Sequence, residues 1–552
     1  MHVTMGGLQA AWNTGKSQLA EADAVARLWN QDPSLWTEDP ETAAKVSNRL
    51  GWLSSLDAVD VAALEPFVSE VTEVGFRQVL LLGMGGSSLC PEVLRECFGV
   101  GDGGLDLRVL DSTTPGSVRA ARDWADAHKT LFLVASKSGT TAEVLSFERF
   151  FLDHCGDPSC FVAITDPQTE LERRAREGNW RRVFLNPADI GGRFSALSYF
   201  GLVPAALLGI DASRLIGGAR AMMDACRPTA DTEQNPGLEL GLMLAEAARA
   251  GRDKLSLVFS PRIEALGNWV EQLIAESTGK RGMGVLPVLA DPLEPARWGE
   301  DRVCVVTTLA GETETQEMVE SIRTQGIPLV EIVLDDVHDL GGEFFRWEVA
   351  TAICGARMGI NPFDEPNVTE SKDRTRALLA GYEENGNLPP MDAFLEEGPL
   401  RFVTPDGSGL PSDSASSLLG AHLGRASAGD YVAILAYLPS GGEVDARLDS
   451  IRRRVAEITG CPTTLGIGPR FLHSTGQLHK GGSDQGLFLQ ITTDDTQAVP
   501  IPGAVYDFGT LVEAQARGDW GALADRGRRM LRCTCRGEPV DALRALEAAL
   551  GS

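Results

Sequence analysis

Short, continuously apolar runs alternate with helical stretches along most of this chain. Between about residues 55 and 215 the runs are QVLLLG (78–83), LRVL (107–110), LFLVAS (131–136), FVAI (161–164) and RVFL (182–185). Strands of this kind are buried on both faces, which predicts a parallel sheet covered by helices. The rhythm returns over 216–380 with LSLVFS (255–260), RVCVVTT (302–308) and PLVEIVL (328–334). It appears a third time in YVAILAYL (431–438), TTLGIG (463–468) and LFLQIT (487–492), which flank a charged helix at 443–460. Residues 1–54 show helical spacing (Leu8, Trp12, Leu19, Val25, Trp29) and read as a helical lead-in. Residues 383–415, rich in Gly, Pro, Ser and Asp, read as a linker or irregular arm, and the end of the chain, through GTLVEAQARGDWGALADRGRRMLR, reads as helical. The expected division is an N-terminal helical segment (1–54), two αβα units (55–215 and 216–382) and a C-terminal α/β region (383–552).

Composition narrows the picture. The 552 residues are enough for about two to four domains. A net charge of −27 argues against nucleic acid and anionic membranes as partners. It also repels a phosphorylated substrate at long range, so any anion site has to be a local exception. The ten cysteines are scattered without zinc spacing, and the first residues, MHVTMGGLQAAWN, lack the build of a signal peptide. No apolar run approaches the ~18 residues of a membrane span. A soluble, cytoplasmic protein is expected, with no metal and no cofactor.

The chemistry lies at the carboxyl ends of the expected strands, where ligands of parallel sheets bind. After LFLVA comes SKSGTT, a run of hydroxyls around one glycine, and then a helical segment. A helix start offers unpaired N–H groups and a positive dipole end, and Ser136, Ser138, Thr140 and Thr141 add neutral donors. The combination suits a phosphate monoester, although the same residues also serve as ordinary helix caps. GMGGSSLCP (83–91) invites a dinucleotide reading, with Asp111 as ribose partner, but Ser88 stands where the third glycine belongs. Gly86 and Ser87 suit a close approach to a polyol equally well, and a tight strand-to-helix turn would need only the glycines.

In ADIGGRFSALS (188–198) two glycines precede Arg193, which is either a surface ion-pair residue or a cation aimed into the cleft. Glu276 ends the helical face of WVEQLIAESTGK, and Lys372 lies two turns into a helix expected to start at Pro366, with Asp364 or Glu365 as its acidic beginning. Taken alone, both read first as solvated helix residues. The loop GPRFLHSTGQLHKGGSDQG places two of the seven histidines, His473 and His479, in a polar setting that suits ligand contact as well as structure.

In order, GGS, SKSGTT, GGRFS, QLIAESTGK and NPFDEPNVTESK resemble the phosphoglucose isomerase family over roughly residues 75–380. The C-terminal part looks like the isomerase portion of fused transaldolase/glucose-6-phosphate isomerase proteins. The resemblance implies an α/β fold with two SIS-type three-layer αβα sandwiches, a sugar phosphate as small-molecule substrate, no cofactor and a homodimer. It puts Ser136, Lys137, Ser138, Thr140 and Thr141 in the phosphate loop, with Gly86 and Ser87 in the first sugar-binding turn. Gly192 and Arg193 would face the reacting carbons, Glu276 would shuttle the proton, and Lys372 would match the family's lysine. HSTGQ resembles the histidine helix of bacterial members, making His473 rather than His479 the candidate for ring opening. Glu365 stands where the family usually has glutamine. The histidine segment lies after the lysine, whereas in the family it comes between glutamate and lysine.

These residues suit aldose–ketose isomerisation of glucose 6-phosphate and fructose 6-phosphate through a cis-enediol. The alternatives are an isomerase of mannose 6-phosphate or an amino-sugar phosphate, a non-catalytic sugar-phosphate sensor, and the dehydrogenase that the glycine turn suggests.

Overall fold

The computed structural model describes residues 1–126, 128–228, 235–405, 407–494 and 497–551. Strand β1 (His2–Thr4) comes first. The first lobe is built on β2 (Gln78–Gly83), β3 (Asp106–Leu110), β4 (Thr130–Ala135), β5 (Phe161–Thr165) and β6 (Arg182–Leu185). These are all parallel, in the order β3-β2-β4-β5-β6. The second lobe holds β7 (Lys254–Phe259), β8 (Leu286–Leu289), β9 (Arg302–Leu309) and β10 (Leu329–Leu334), ordered β1-β10-β9-β7-β8. The third is a sheet of β11 (Leu395–Glu397), β12 (Leu400–Val403), β13 (Tyr431–Tyr437), β14 (Thr463–Ile467), β15 (Gly486–Thr493) and β16 (Arg529–Cys535), ordered β11-β12-β16-β15-β13-β14. Every residue of β4 is buried, as a central strand with a continuous apolar run from Leu131 to Ala135 requires.

The first two lobes meet on the helix Leu340–Met358, buried from Leu340 to Gly355 and packed against the helices Ala212–Ala225, Pro236–Arg249 and Leu266–Thr278. A helix that presents no polar face to water belongs in an interior. Trp52 closes the seam, stacked on Phe194 (ring centroids 5.4 Å apart) and tilted against Phe345 (5.7 Å).

Five local features differ from expectation. Residues 2–4 are a strand, not part of a helix, and pair antiparallel with β10 (Val3 opposite Val330). Three residues are too few to display a period. The short β8 contains Pro287, which a sheet tolerates at its edge, and β8 is an edge. The terminal helix stops at Ala524; after a turn in which Gly527 has φ +70°, the chain enters β16. β16 buries Leu531, Cys533 and Cys535 on one side and Met530 on the other, so its apolar content reads as helix or strand alike. The arm at 383–415 contains the hairpin β11–β12, which pairs with β16. The Lys372 helix begins at Val368, two residues past Pro366. Among the described residues no helix is long and apolar enough to cross a membrane.

Candidate active site

The loop after β4 turns on Gly139 (φ +65°) and leads into the helix Ala142–Cys155. Thr141 does not cap that helix with its side chain. Its hydroxyl pairs with Ser136 Oγ at 3.0 Å, while Ser136 Oγ accepts from Gly139 N–H (3.2 Å) and Ser138 Oγ from Thr140 N–H (3.3 Å). The hydroxyls therefore form one cluster at the mouth of the helix. Lys137 turns its ammonium elsewhere, onto the Asp166 carboxylate and the Ala188 carbonyl (3.0 Å), and so ties the loop to the next two strand ends.

Opposite stand the two glycine turns. A Cβ at Gly86 would lie 2.0 Å from the Gly192 carbonyl oxygen, so the turns touch backbone to backbone. Ser87 beside it is buried. The second turn aims Arg193 inward, where its guanidinium is 5% exposed. Nε donates to Ser277 Oγ (2.8 Å), Nη2 to the carbonyls of Pro362 (2.7 Å) and Asp364 (3.0 Å), and Nη1 to Glu365 Oε2 (3.0 Å). Nη1 also lies 3.6 Å from Glu276 Oε1.

Glu276 sits in the last turn of the helix Leu266–Thr278. Gln272, one turn earlier, donates to Glu276 Oε2 (3.1 Å) and to the His473 carbonyl (2.7 Å), so one amide links the carboxylate to the histidine segment. Burial pushes the Glu276 carboxyl above the ordinary carboxylate range; Arg193 pulls it back, and Glu365 pushes with the burial. For Glu365 burial works in the same direction, but the Arg193 guanidinium outweighs it and holds the carboxyl below its ordinary value. One cation thus serves two acids, and the more deeply buried acid is the more basic.

His473 reaches the site from the third lobe. Its Nε2 is 3.1 Å from Glu143 Oε1, in the first turn of the helix Ala142–Cys155. Burial alone would raise Glu143, yet the His473 hydrogen bond and charge, with Lys372 beyond, hold it at about 2. Lys372 is exposed on its helix and lines, with Ser138, Thr141, Glu143 and His473, a cavity of about 150 Å3.

This geometry stands beside clear relatives. The model of the phosphoglucose isomerase family matches residues 68–300. A probable glucose-6-phosphate isomerase of Methanococcus maripaludis is 30% identical over 357 residues, 55% of this chain and 79% of the relative. The chain belongs to the phosphoglucose isomerase family. A glucose-6-phosphate isomerase of Prochlorococcus marinus is 24% identical over 74% of this chain and 85% of its own length. Among solved structures, a hypothetical protein of Thermus thermophilus superposes with a TM-score of 0.60 at 24% identity, covering 69% of this chain and all of that one. A glucose-6-phosphate isomerase of Chlamydia trachomatis gives 0.50 at 19% identity over 65% of this chain and 78% of that one. These two likenesses show the fold.

Within this phosphoglucose isomerase family member, the two histidines of the polar loop separate. His473 faces Glu143. His479 is buried against Tyr431, whose hydroxyl lies 3.0 Å from Nδ1, and burial pushes it down to about 3. Gln477 is a clamp: its amide donates to Gly279 O and Asn367 Oδ1 (both 2.8 Å) and accepts from Asn367 N–H (2.8 Å), fastening the third lobe to the start of the Lys372 helix. Sequence reasoning passed over Glu143, which looked like one more polar position of an amphipathic helix. It also passed over Lys280, whose ammonium holds the Asn361 carbonyl (2.6 Å) and Asp364 Oδ1 (2.7 Å) and so fixes the segment that surrounds Arg193. Burial, and then Arg193, push Lys280 down to about 8. The only signal for either was position: Glu143 comes two residues after the hydroxyl run, and Lys280 ends the STGK motif.

Proposed function

We propose that this chain interconverts glucose 6-phosphate and fructose 6-phosphate, with the phosphate on Ser136, Ser138, Thr140 and Thr141 and the backbone of Lys137. The sugar extends past Gly86, Ser87 and Gly192 toward Glu276. His473 and Lys372 open the ring: one proton goes to the ring oxygen, one leaves the anomeric hydroxyl, and the C1–O bond of the hemiacetal (C2–O in the ketose) breaks. Glu276 then takes the proton from C2, and the electron pair becomes a cis-enediolate. Returning that proton to C1, as the hydroxyl proton of O2 passes to O1, gives the ketose. Arg193 stabilises the enediolate charge, and Glu365 holds Arg193 in place. No cofactor takes part. The observation that carries the reading is the buried Arg193, 3.6 Å from a carboxylate that its surroundings make more basic.

His473 acts in this scheme within its own chain. A homodimer, cytoplasmic residence and kinship of the third lobe with the isomerase part of transaldolase fusions belong to the same proposal. All ten cysteines are buried. The test supplies fructose 6-phosphate and follows glucose 6-phosphate through a coupled dehydrogenase. Wild type turns over, and Glu276→Gln keeps fold and phosphate binding but loses exchange of the C2 proton with solvent. Near-wild-type exchange in that variant refutes the assignment. Binding without turnover in the wild type indicates a sensor.

A further inference from the structure

We infer that Gln515, on the third-lobe helix Phe508–Ala524, is a positioning residue for the Glu143–His473 pair; this deepens the isomerase reading and rests on it. Gln515 is 4% exposed. Its Nε2 donates to Glu143 Oε1 at 2.7 Å, the same oxygen that faces His473 Nε2 at 3.1 Å. Its Oε1 accepts from Thr113 Oγ1 at 2.7 Å, and Thr113, at the carboxyl end of β3, is fully buried. The amide is therefore fixed at both ends: an ionised carboxylate only accepts, so the Gln515 nitrogen must face Glu143, and the oxygen is left for the threonine hydroxyl.

The consequence is a directed chain from Thr113 to Gln515 to Glu143, with His473 on the far side. Glu143 Oε1, held by the amide, stays where the imidazole N–H can reach it. His473 Nε2 then carries hydrogen toward Glu143 and leaves Nδ1 as the ring's other proton-exchanging atom. The same helix carries Asp519, which pairs with Lys480 (2.6 Å) one helical turn after Gly476. That pair ties the Gln515 helix to the short helix following His473, so both partners of Glu143 move with the third lobe. The charged side chains that line the cavity around Glu143 and His473 are Lys372, Arg376 and Lys480. None of them can replace the amide's bond to Glu143 while also satisfying Thr113, because an ammonium or guanidinium has no acceptor.

The experiment compares Gln515→Leu, Gln515→Glu and Thr113→Val with wild type in the full-length protein, measuring kcat and KM for fructose 6-phosphate from pH 5 to 9. Gln515→Leu lowers kcat about tenfold, part of the ~10²-fold or more that a positioned proton-transfer group supplies, with KM changed less than about twofold. Gln515→Glu is impaired at high pH, where two carboxylates face each other, and recovers toward wild type as pH falls, because a protonated glutamate can donate as the amide did. Thr113→Val shows a smaller loss of the same kind and stands in if Gln515→Leu does not fold. A folded Gln515→Leu with wild-type kcat, or a Gln515→Glu whose loss does not vary with pH, overturns the inference while leaving the isomerase reading intact. An inactive wild type overturns both.

Discussion

Arg193 and Glu276 meet at 3.6 Å across the junction of the first two lobes, and neither is positioned by its own lobe alone. The arginine is aimed by a glycine turn of the first lobe and held by the carbonyls of Pro362 and Asp364. The carboxylate is steadied by Gln272, which also holds the histidine segment of the third. A guanidinium with four directed partners has no equivalent among point charges. Arg193→Lys is accordingly expected to fold and still bind phosphate, yet to lose on the order of 10²-fold or more in kcat. Steady-state kinetics beside inorganic-phosphate inhibition checks this; an unchanged kcat would remove Arg193 from the reaction.

Glu365 offers a test of sign. Its charge is one of the causes that raise Glu276, so Glu365→Gln lowers the Glu276 pKa. A base works deprotonated, and its activity is lost as pH falls through its pKa. The acidic limb of kcat/KM therefore moves to lower pH in Glu365→Gln. An acidic limb that stays put or moves upward shows that Glu365 does not act on the titrating group.

Much of the architecture is legible in the sequence because buried parallel strands announce themselves as unbroken apolar runs. Most of those runs lie within a residue or two of the observed strands. The exceptions share a physical cause: β1 and β8 are too short for any period, and β16 is masked by a sequence whose apolar positions fit two structures. At the site, Arg193, Glu276, Glu365 and His473 carry strand-end or loop motifs that single them out. Glu143 and Gln515 carry none, because what distinguishes them is a partner hundreds of residues away in the chain. His473 with Glu143, and Thr113 with Gln515, become neighbours only when the third lobe docks on the first.

Glu143 should also leave a mark on stability. Its carboxyl is at about 2 in the folded protein against an ordinary 4.5: burial opposes the shift and the hydrogen bond and charge of His473 overcome it. A depressed carboxylate contributes stability that is complete above its unfolded pKa and is lost as pH falls toward the folded value. A contribution on the order of 3 kcal/mol is expected to disappear between about pH 4.5 and 2. Denaturant unfolding across that interval shows the decline in wild type, and Glu143→Gln flattens it. An identical slope in both proteins contradicts the pairing.

The third lobe also decides how many chains make one site. His473 meets Glu143 within one chain, Arg470 anchors its segment to Asp111 (2.7 Å) and Glu92 (2.6 Å), and Gln477 fastens it to Gly279. These contacts link the third lobe to both others. Two inactive variants, Glu276→Gln and His473→Ala, each disable every site they contribute to. If each chain supplies both residues, mixing the two after co-refolding restores nothing, and wild-type activity per chain stays constant on dilution. If the histidine came from a partner copy, mixed dimers would regain one intact site each, and activity would rise well above either variant alone. We propose the first outcome, and a coupled assay of the co-refolded mixture decides between them.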